Sequence, residues 1–373
     1  MTDILTRVVH VIRPEPDGSI GGADLHVLEL AAAQSQLGLC RPVVLAPGHG
    51  TDFAHRAGAL YVPIGTARQL VKSEITLIHA HGYEADIIAL LLAGTRHLLG
   101  RTRPPIVMTS HGIIEPDLRH RVLNMIDRAC LRRATALIAV STQGTQQLRQ
   151  IAPHNPIYLV RNGVRAPNPV SPTATRRVRE QLGAGEHDHL VGYVGRLSHE
   201  KRPDLFLDVA AQVAAKHSMA RFALIGDGVL VDEVRSTIER SAAATRIVLA
   251  GLRHDMDAVF AALDLLIIPS DAENTPRVLH EALSRGVPTV VTAVGDMPLM
   301  VCGAANTAIS PPGDTNALAA AVVELLTANP ALNRRTIETS RSDATADNMS
   351  RAVQHVYSTL LPRTGAHGRR ADS

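Results

Sequence analysis

Arg165-Ala-Pro-Asn-Pro-Val-Ser-Pro-Thr-Ala-Thr175 places three prolines within eleven residues and interrupts a regular alternation of short strands and longer helices. Proline fixes φ and removes a backbone donor, so the segment cannot continue a helix interior or a central strand; it reads as an interdomain linker. Before it, β-branched runs fall near 7–12, 42–46, 77–80, 106–109, 136–140 and 157–160. Helical stretches at 23–37, 84–99, 117–133 and 142–151 separate them. After it the alternation restarts, with strands near 190–194, 221–225, 247–250, 265–269 and 288–293. The helices of this half are expected at 203–216, 230–241, 255–263 and 276–284. Strands that alternate with helices predict parallel sheets covered on both faces. The expected fold is α/β: two doubly wound, Rossmann-like domains facing each other across a cleft, where the carboxyl ends of open sheets bind ligands. The expected bounds are 1–164 for the first domain, 165–175 for the linker and 176–348 for the second domain. A helix at 349–361 is expected to pack back on the first domain, and the tail 362–373 has nothing to bury.

At 373 residues the chain is too long for one small core and suits two ordinary domains. Hydrophobic residues are 45% and charged residues 20%, which excludes wholesale disorder and a coiled rod. Lys and Arg total 38 against 35 Asp and Glu, so a protein that coats nucleic acid is not expected. Aromatics are 2% with no Trp, which argues against stacking platforms for nucleic acid or carbohydrate polymers. The longest purely apolar stretch, 87–93, is far short of a membrane span, and no leader pattern opens the chain. A cytoplasmic protein is expected. Cys40, Cys130 and Cys302 lie far apart in apolar contexts and read as small core residues of a reducing compartment.

The first strand–helix junction ends in Gly21-Gly22-Ala-Asp24. Unobstructed amides at a helix start suit a phosphate or a closely approaching sugar, and a plain flexible turn is the alternative. The spacing is not GxGxxG and no acid ends the second strand, so a nicotinamide dinucleotide fold is disfavoured. In the second half, Gly192-Tyr-Val-Gly-Arg196-Leu-Ser-His-Glu-Lys201-Arg202-Pro203 delivers Arg196 to a strand end and Lys201 to the loop before a helix. A guanidinium fork and an ammonium point charge at that spacing can clamp a diphosphate; a solvated basic loop is the bland reading. Gly226 and Arg253 sit on the next two strand–helix turns. Pro269-Ser-Asp-Ala-Glu273-Asn274-Thr275-Pro276-Arg-Val-Leu-His-Glu281 is the strongest local signal, with Glu273 on a polar turn and Glu281 on the helix that follows. The helix start offers amides to a phosphate, and the two carboxylates can accept hydrogen bonds from sugar hydroxyls. Glu281 could equally be a charge on an amphipathic surface. His79 and His81 share one face of a strand, but no third ligand of suitable spacing is visible, so no metal is expected.

Together these motifs resemble the GT-B glycosyltransferases of family 4. The resemblance is close from Gly192 to Pro312, through the Gly-Arg-x4-Lys loop, Gly226-Asp-Gly228, the Glu273/Glu281 pair, Gly286-Val-Pro-Thr-Val-Val and Gly295. It is looser in the first half, through Gly21-Gly22, Ile78-His-Ala-His81, Thr109-Ser-His111-Gly112 and Ala139-Val-Ser141. The resemblance implies that Arg196 and Lys201 bind the donor diphosphate and stabilise the leaving group. It assigns Glu281 to the ribose hydroxyls, Glu273 to the transferred sugar, and His111 to the neighbourhood of the anomeric centre. Gly21, Gly22, Gly226, Arg253, Asn274, Thr275 and Pro276 are implied on the donor side, and His81 on the acceptor side. Asn274-Thr275-Pro276 stands where the family often has Gly-Phe-Gly, and Asp24 where it often has Glu.

The activity so implied is retaining, metal-independent transfer of a hexose or amino-hexose from a nucleoside-diphosphate sugar, a UDP-sugar first. That sugar nucleotide is a co-substrate, and no cofactor is expected. The alternatives are a transferase for a lipid or cell-envelope acceptor, and a non-catalytic sugar-nucleotide-binding protein or epimerase of the same fold. The stretch 117–133 carries Arg119, Arg121, Arg128, Arg132 and Arg133. Its apolar residues form an ordinary core stripe, so a membrane partner is not expected. The acceptor is expected at the loops after Ala80 and Thr109, where Glu84, Asp86, Glu115 and Asp117 stand. Four carboxylates there repel a phosphorylated acceptor and favour a small polyhydroxylated one, such as an aminocyclitol or amino sugar of a secondary-metabolite or antibiotic pathway.

Overall fold

The computed structural model describes residues 6–13, 22–46, 60–63, 65, 67–111, 120–304, 306–328 and 344–361, with backbone alone at 61 and 120–124. The chain divides into two compact units, Met1–Arg165 with Ala344–Ser373, and Ala166–Asp343.

Unit 1 is built on a sheet of β1 (Arg7–Val11), β2 (Arg41–Ala46), β3 (Leu60–Pro63), β4 (Leu77–His81), β5 (Ile106–Ser110), β6 (Ala136–Ala139) and β7 (Ile157–Leu159). Between them run α1 (Gly22–Gln36), α2 (Arg68–Lys72), α3 (Tyr83–Leu98), α4 (His120–Leu131) and α5 (Thr142–Ile151). The strands are parallel, in the order β3-β2-β1-β4-β5-β6-β7. All five residues of β4 are buried, as a strand covered on both faces requires. The chain order reverses between β1 and β4, which makes that edge the switch point of the sheet.

Unit 2 carries α6 (Pro172–Gln181), β8 (His189–Val194), α7 (Pro203–Lys216), β9 (Ala220–Ile225), α8 (Val231–Arg240), β10 (Ile247–Gly251) and α9 (Met256–Ala262). It continues through β11 (Leu265–Ile268), α10 (Arg277–Ser284), β12 (Thr289–Thr292), α11 (Met297–Val301), β13 (Thr307–Ser310) and α12 (Thr315–Ala328). The parallel order is β10-β9-β8-β11-β12-β13, with the switch point between β8 and β11. The expected linker is shorter than its prolines suggested, because the chain turns helical at Pro172. Ser171 caps that helix by accepting from Ala174 N at 3.2 Å, and proline in the first turn gives up an N–H that has no intrahelical partner anyway. Cys302, expected in the core, is exposed just after α11.

The last helix, α13 (Ala346–Leu360), belongs to unit 1. Thr345 caps it by accepting from Asn348 N at 3.1 Å. Its Met349, Val353, Val356 and Tyr357 join Val8, Leu30, Cys40, Leu77 and Val107 in one apolar cluster. Burial of this kind stabilises by about 1.5–3 kcal/mol per large side chain. The returning segment is stitched down by Val164 N to Ala344 O and by Ala346 N to Val164 O, both 3.0 Å. It passes so close that a Cβ on Gly163 would lie 2.2 Å from Thr345 O, a backbone atom that cannot step aside. Gly163→Ala is therefore expected to destabilise unit 1 by about 2 kcal/mol or more in urea unfolding. Gly94→Ala in α3, where nothing lies within 4 Å, is expected to be neutral or stabilising by up to about 1 kcal/mol. Equal effects at the two sites contradict this account of α13 docking.

Candidate functional site

In unit 2 the loops on either side of the β8/β11 switch point carry the residues singled out from the sequence. Exposed Arg196 follows β8, and Lys201 closes a short 3-10 turn, His199–Lys201, before α7. Glu273 lies on the loop after β11, with its side chain 6% exposed. Lys201 Nζ donates to Glu273 Oε1 at 2.6 Å, and Ser270 Oγ donates to the same oxygen at 2.9 Å. The pair thus ties the two loops across the switch point. A second tie, from Asp271 N to Glu200 O at 2.9 Å, runs beside it. Arg202, in the left-handed region at φ 52, pairs with both Asp204 and Asp271 and holds the corner.

The next loop is packed against the first. Gly226 follows β9 at φ 143, and a Cβ there would lie 1.9 Å from Gly195 O. Gly195 N reaches Ile225 O at 3.0 Å and Leu197 N reaches Asp227 O at 2.9 Å. Glycine is thus required for the loop carrying Arg196 to lie flat on its neighbour. Pro276 caps α10 from an extended conformation, and buried Thr275 precedes it. Asn274 O accepts from Asp296 N at 2.9 Å, which fixes the turn between Glu273 and the helix.

Two expected donor residues have partners that the sequence reading overlooked. Glu281 pairs with Arg277 one turn earlier at 2.9 Å, and Arg253 pairs with Asp255 at 2.5 Å and with Gln181 at 3.0 Å. The Arg277–Glu281 spacing, i to i+4 on one helix, was legible as a charge pair.

In unit 1 Gly22 opens α1, and a Cβ on it would meet nothing within 4 Å, so packing inside the unit does not demand a glycine there. Gly21 and Glu115 lie outside the described residues. His81 ends β4, and His111 follows β5. The metal expectation rested on the lack of a third ligand, and the fold supplies candidates from distant parts of the chain. Parallel register sets His10 of β1 beside His79 of β4. His26 on α1 comes edge-on to His111, with ring centroids 4.8 Å apart. The groups His10–His79–His81 and His26–His81–His111 each bring ring nitrogens within 4.8 Å of one another. Burial holds His10 and His111 down at about 4, and keeps His79 and His81 well below the usual imidazole range. The sequence signal for this cluster was a histidine inside two apolar strands, Arg7-Val-Val-His10-Val and Leu77-Ile-His79-Ala-His81.

The expected acidic acceptor face needs correction. Asp86 is only 2% exposed, so it is not offered to a ligand, and burial with Asp127 nearby pushes its carboxyl well above the usual range. Glu84 pairs with Arg13 at 2.7 Å. Asp117, like Glu115, is outside the described residues. The sequence placed Asp86 on a helix start without revealing that its face turns inward, against α4.

Comparison with known proteins bears on the family and the fold. Residues 20–166 match the family described as Glycosyltransferase Family 4, and residues 188–328 the family described as Glycosyl transferases group 1. The 2-deoxystreptamine N-acetyl-D-glucosaminyltransferase of Streptomyces fradiae is 30% identical over 323 residues, covering 81% of this chain and 74% of that protein. The D-inositol 3-phosphate glycosyltransferase of Corynebacterium aurimucosum is 24% identical over 333 residues, covering 76% and 77%. The crystal structure of Anabaena HepE in complex with UDP-glucose shares the fold at TM-score 0.73 and 22% identity, covering 95% of each chain.

Burial raises Asp127 to about 6 from an unfolded value of 3.8, against a lesser opposing pull from Arg128. The folded state therefore binds the extra proton between those values, and stability falls as pH rises through them. Asp127→Asn is expected to raise stability by about 1 kcal/mol at pH 8, with the gain gone below pH 4. Urea unfolding at the two pH values checks this; a gain that persists at low pH contradicts it.

Proposed function

Because the chain belongs to the group 1 glycosyltransferases of family 4, we propose that it moves a hexose or amino-hexose from a UDP-sugar to a small polyhydroxylated acceptor of the aminocyclitol class. In this reading the anomeric configuration is retained and no metal ion serves the diphosphate. The observation that carries it is the Lys201–Glu273 pair across the switch point of unit 2, beside Arg196 and the start of α10.

Transfer breaks the bond between the anomeric carbon and the diphosphate oxygen, and the electron pair leaves with the phosphate. The developing charge falls to Arg196 and Lys201, with the open amides of α10 adding a positive helix end. These cations can do the work of a divalent ion. Glu273 has two tasks: it holds the Lys201 ammonium in place, and its carboxylate can accept from hydroxyls of the transferred sugar. Glu281 is read as the partner of the ribose hydroxyls, with Arg277 orienting it. On unit 1, the open backbone at Gly22 and the rings of His111 and His81 are read as facing the sugar and the acceptor.

Support for the acceptor class comes from the Streptomyces fradiae relative, named for an aminocyclitol, which is more similar than the one named for an inositol phosphate. The charge argument supports it less than the sequence alone suggested, since Asp86 is buried and Glu84 is paired.

Lys201→Ala is expected to lower kcat/KM by about 100- to 1000-fold, as for the loss of one preorganised charge donor, with the circular dichroism unchanged. Normal turnover by this variant sinks the assignment. A thermal-shift panel is expected to show UDP-sugars raising Tm above GDP- and ADP-sugars. With the donor so identified, transfer to an aminocyclitol is expected to exceed transfer to a phosphorylated cyclitol. The reverse order overturns the acceptor reading.

A further inference from the structure

Buried polar side chains of unit 1 form one continuous chain of hydrogen bonds that starts from the last helix. The amide of Gln34, on α1, turns its oxygen to His10 Nε2 at 2.8 Å and its nitrogen to Tyr357 Oη at 3.5 Å. Burial favours the neutral imidazole, which carries a single proton. The amide oxygen can only accept, so His10 has its proton on Nε2 and leaves Nδ1 bare. His81 Nε2, 3.2 Å from His10 Nδ1, must then be the donor. A second branch runs in the same sense. Among the described residues the Tyr357 hydroxyl meets Gln34 Nε2, which cannot accept, and His79 Nδ1, which can. It therefore donates to His79 Nδ1 at 2.6 Å, and His79 Nε2 donates to Thr109 Oγ1 at 2.7 Å. The orientation of one amide thus puts the proton of all three rings on Nε2; a flipped amide would put all three on Nδ1.

His81 is left with a bare Nδ1, and this buried nitrogen has no hydrogen-bond partner among the described residues. It stands at the carboxyl end of β4, beside β1, where the order of the sheet reverses and open α/β sheets take their ligands. Buried polar atoms are paired as a rule, so an open lone pair at such an edge is a docking point for a ligand group. We propose that Gln34 and His10 are positioning residues that hold His81 in its Nε2-protonated form, so that Nδ1 accepts a hydrogen bond from a hydroxyl of the sugar acceptor. A bare nitrogen takes a group that has a hydrogen to give. It therefore selects a hydroxyl and turns away an ionised phosphate, whose oxygens also only accept. Tyr357 makes α13 part of the same arrangement: the helix that returns to unit 1 orients the amide that sets the ring. The contact with the acceptor rests on the acceptor lying at these strand ends, as in the proposed function, whereas the tautomer of His81 does not.

The experiment is nitrogen-15 NMR of the imidazoles in the full-length protein at neutral pH, each ring assigned by the loss of its signal in a single variant. The expected result is a proton on Nε2 of His10, His79 and His81, and a bare Nδ1 on His81 whose resonance moves upfield when an aminocyclitol is added. Gln34→Leu is expected to move the His81 proton to Nδ1 and to raise the acceptor KM about tenfold or more, with hydrolysis of the UDP-sugar in the absence of acceptor unchanged. Val353→Ala, which loosens α13 without touching these bonds, is expected to lower Tm and leave that KM alone. Protons on Nδ1 in the wild-type protein overturn the proposal and leave the acceptor reading standing. Equal rises in KM for Gln34→Leu and Val353→Ala also overturn it, since packing alone then explains the loss. Tautomers as expected, with no aminocyclitol bound or transferred, overturn the acceptor reading and the contact together.

Discussion

One ion pair organises the strand-end loops of unit 2. Lys201 arrives on the loop after β8 and Glu273 on the loop after β11, and these strands are neighbours only because the order of the sheet reverses between them. A switch point opens a crevice at the strand ends, and a crevice lined by backbone alone has no reason to hold one shape. Glu273, almost wholly buried and also bound by Ser270, fixes the ammonium without drawing it into the interior. In the proposed function, a charge held this way meets a phosphate at little reorganisation cost. The surrounding features serve the same geometry: Gly226 lets the next loop lie flat, Arg202 braces the corner, and Pro276 starts the helix just after Glu273.

How much of this was legible depended on whether the signal was local. The helices Pro203–Lys216 and Thr142–Ile151 were read to the residue, because a proline in the first turn and a serine cap mark their starts. The strand Leu60–Pro63 escaped, being four residues at the edge of its sheet and ending in proline. The helix Thr315–Ala328 escaped because its run of Ala, Leu and Val has too little polar contrast to show a period. Arg196, Lys201, Glu273 and Glu281 stood out because each follows a recognisable strand end or sits on the helix just beyond it. What they touch did not stand out. The pair Lys201–Glu273 spans separate strands, and nothing in either motif alone announces it.

The histidines show the same limit more sharply. His79 and His81 were visible as a pair, but His10 is marked only as a histidine inside an apolar strand and His26 carries no local mark. Parallel register brings His10 to His79, and helix packing brings His26 to His111. Asp86 errs in the opposite direction: a first-turn acid reads as a solvated cap, yet its face turns toward α4 and leaves it buried, with its carboxyl pushed well above the usual range. Both cases concern orientation, which composition and spacing do not encode.

The most direct test of the whole reading is the anomeric configuration of the product. The enzyme would be supplied with an α-linked UDP-hexose and an aminocyclitol, and the purified product examined by proton NMR. The account predicts an α-linked product, recognised by the small coupling of its anomeric proton. A β-linked product contradicts retention, and no transfer to the cyclitol under conditions where the UDP-sugar binds contradicts the acceptor class.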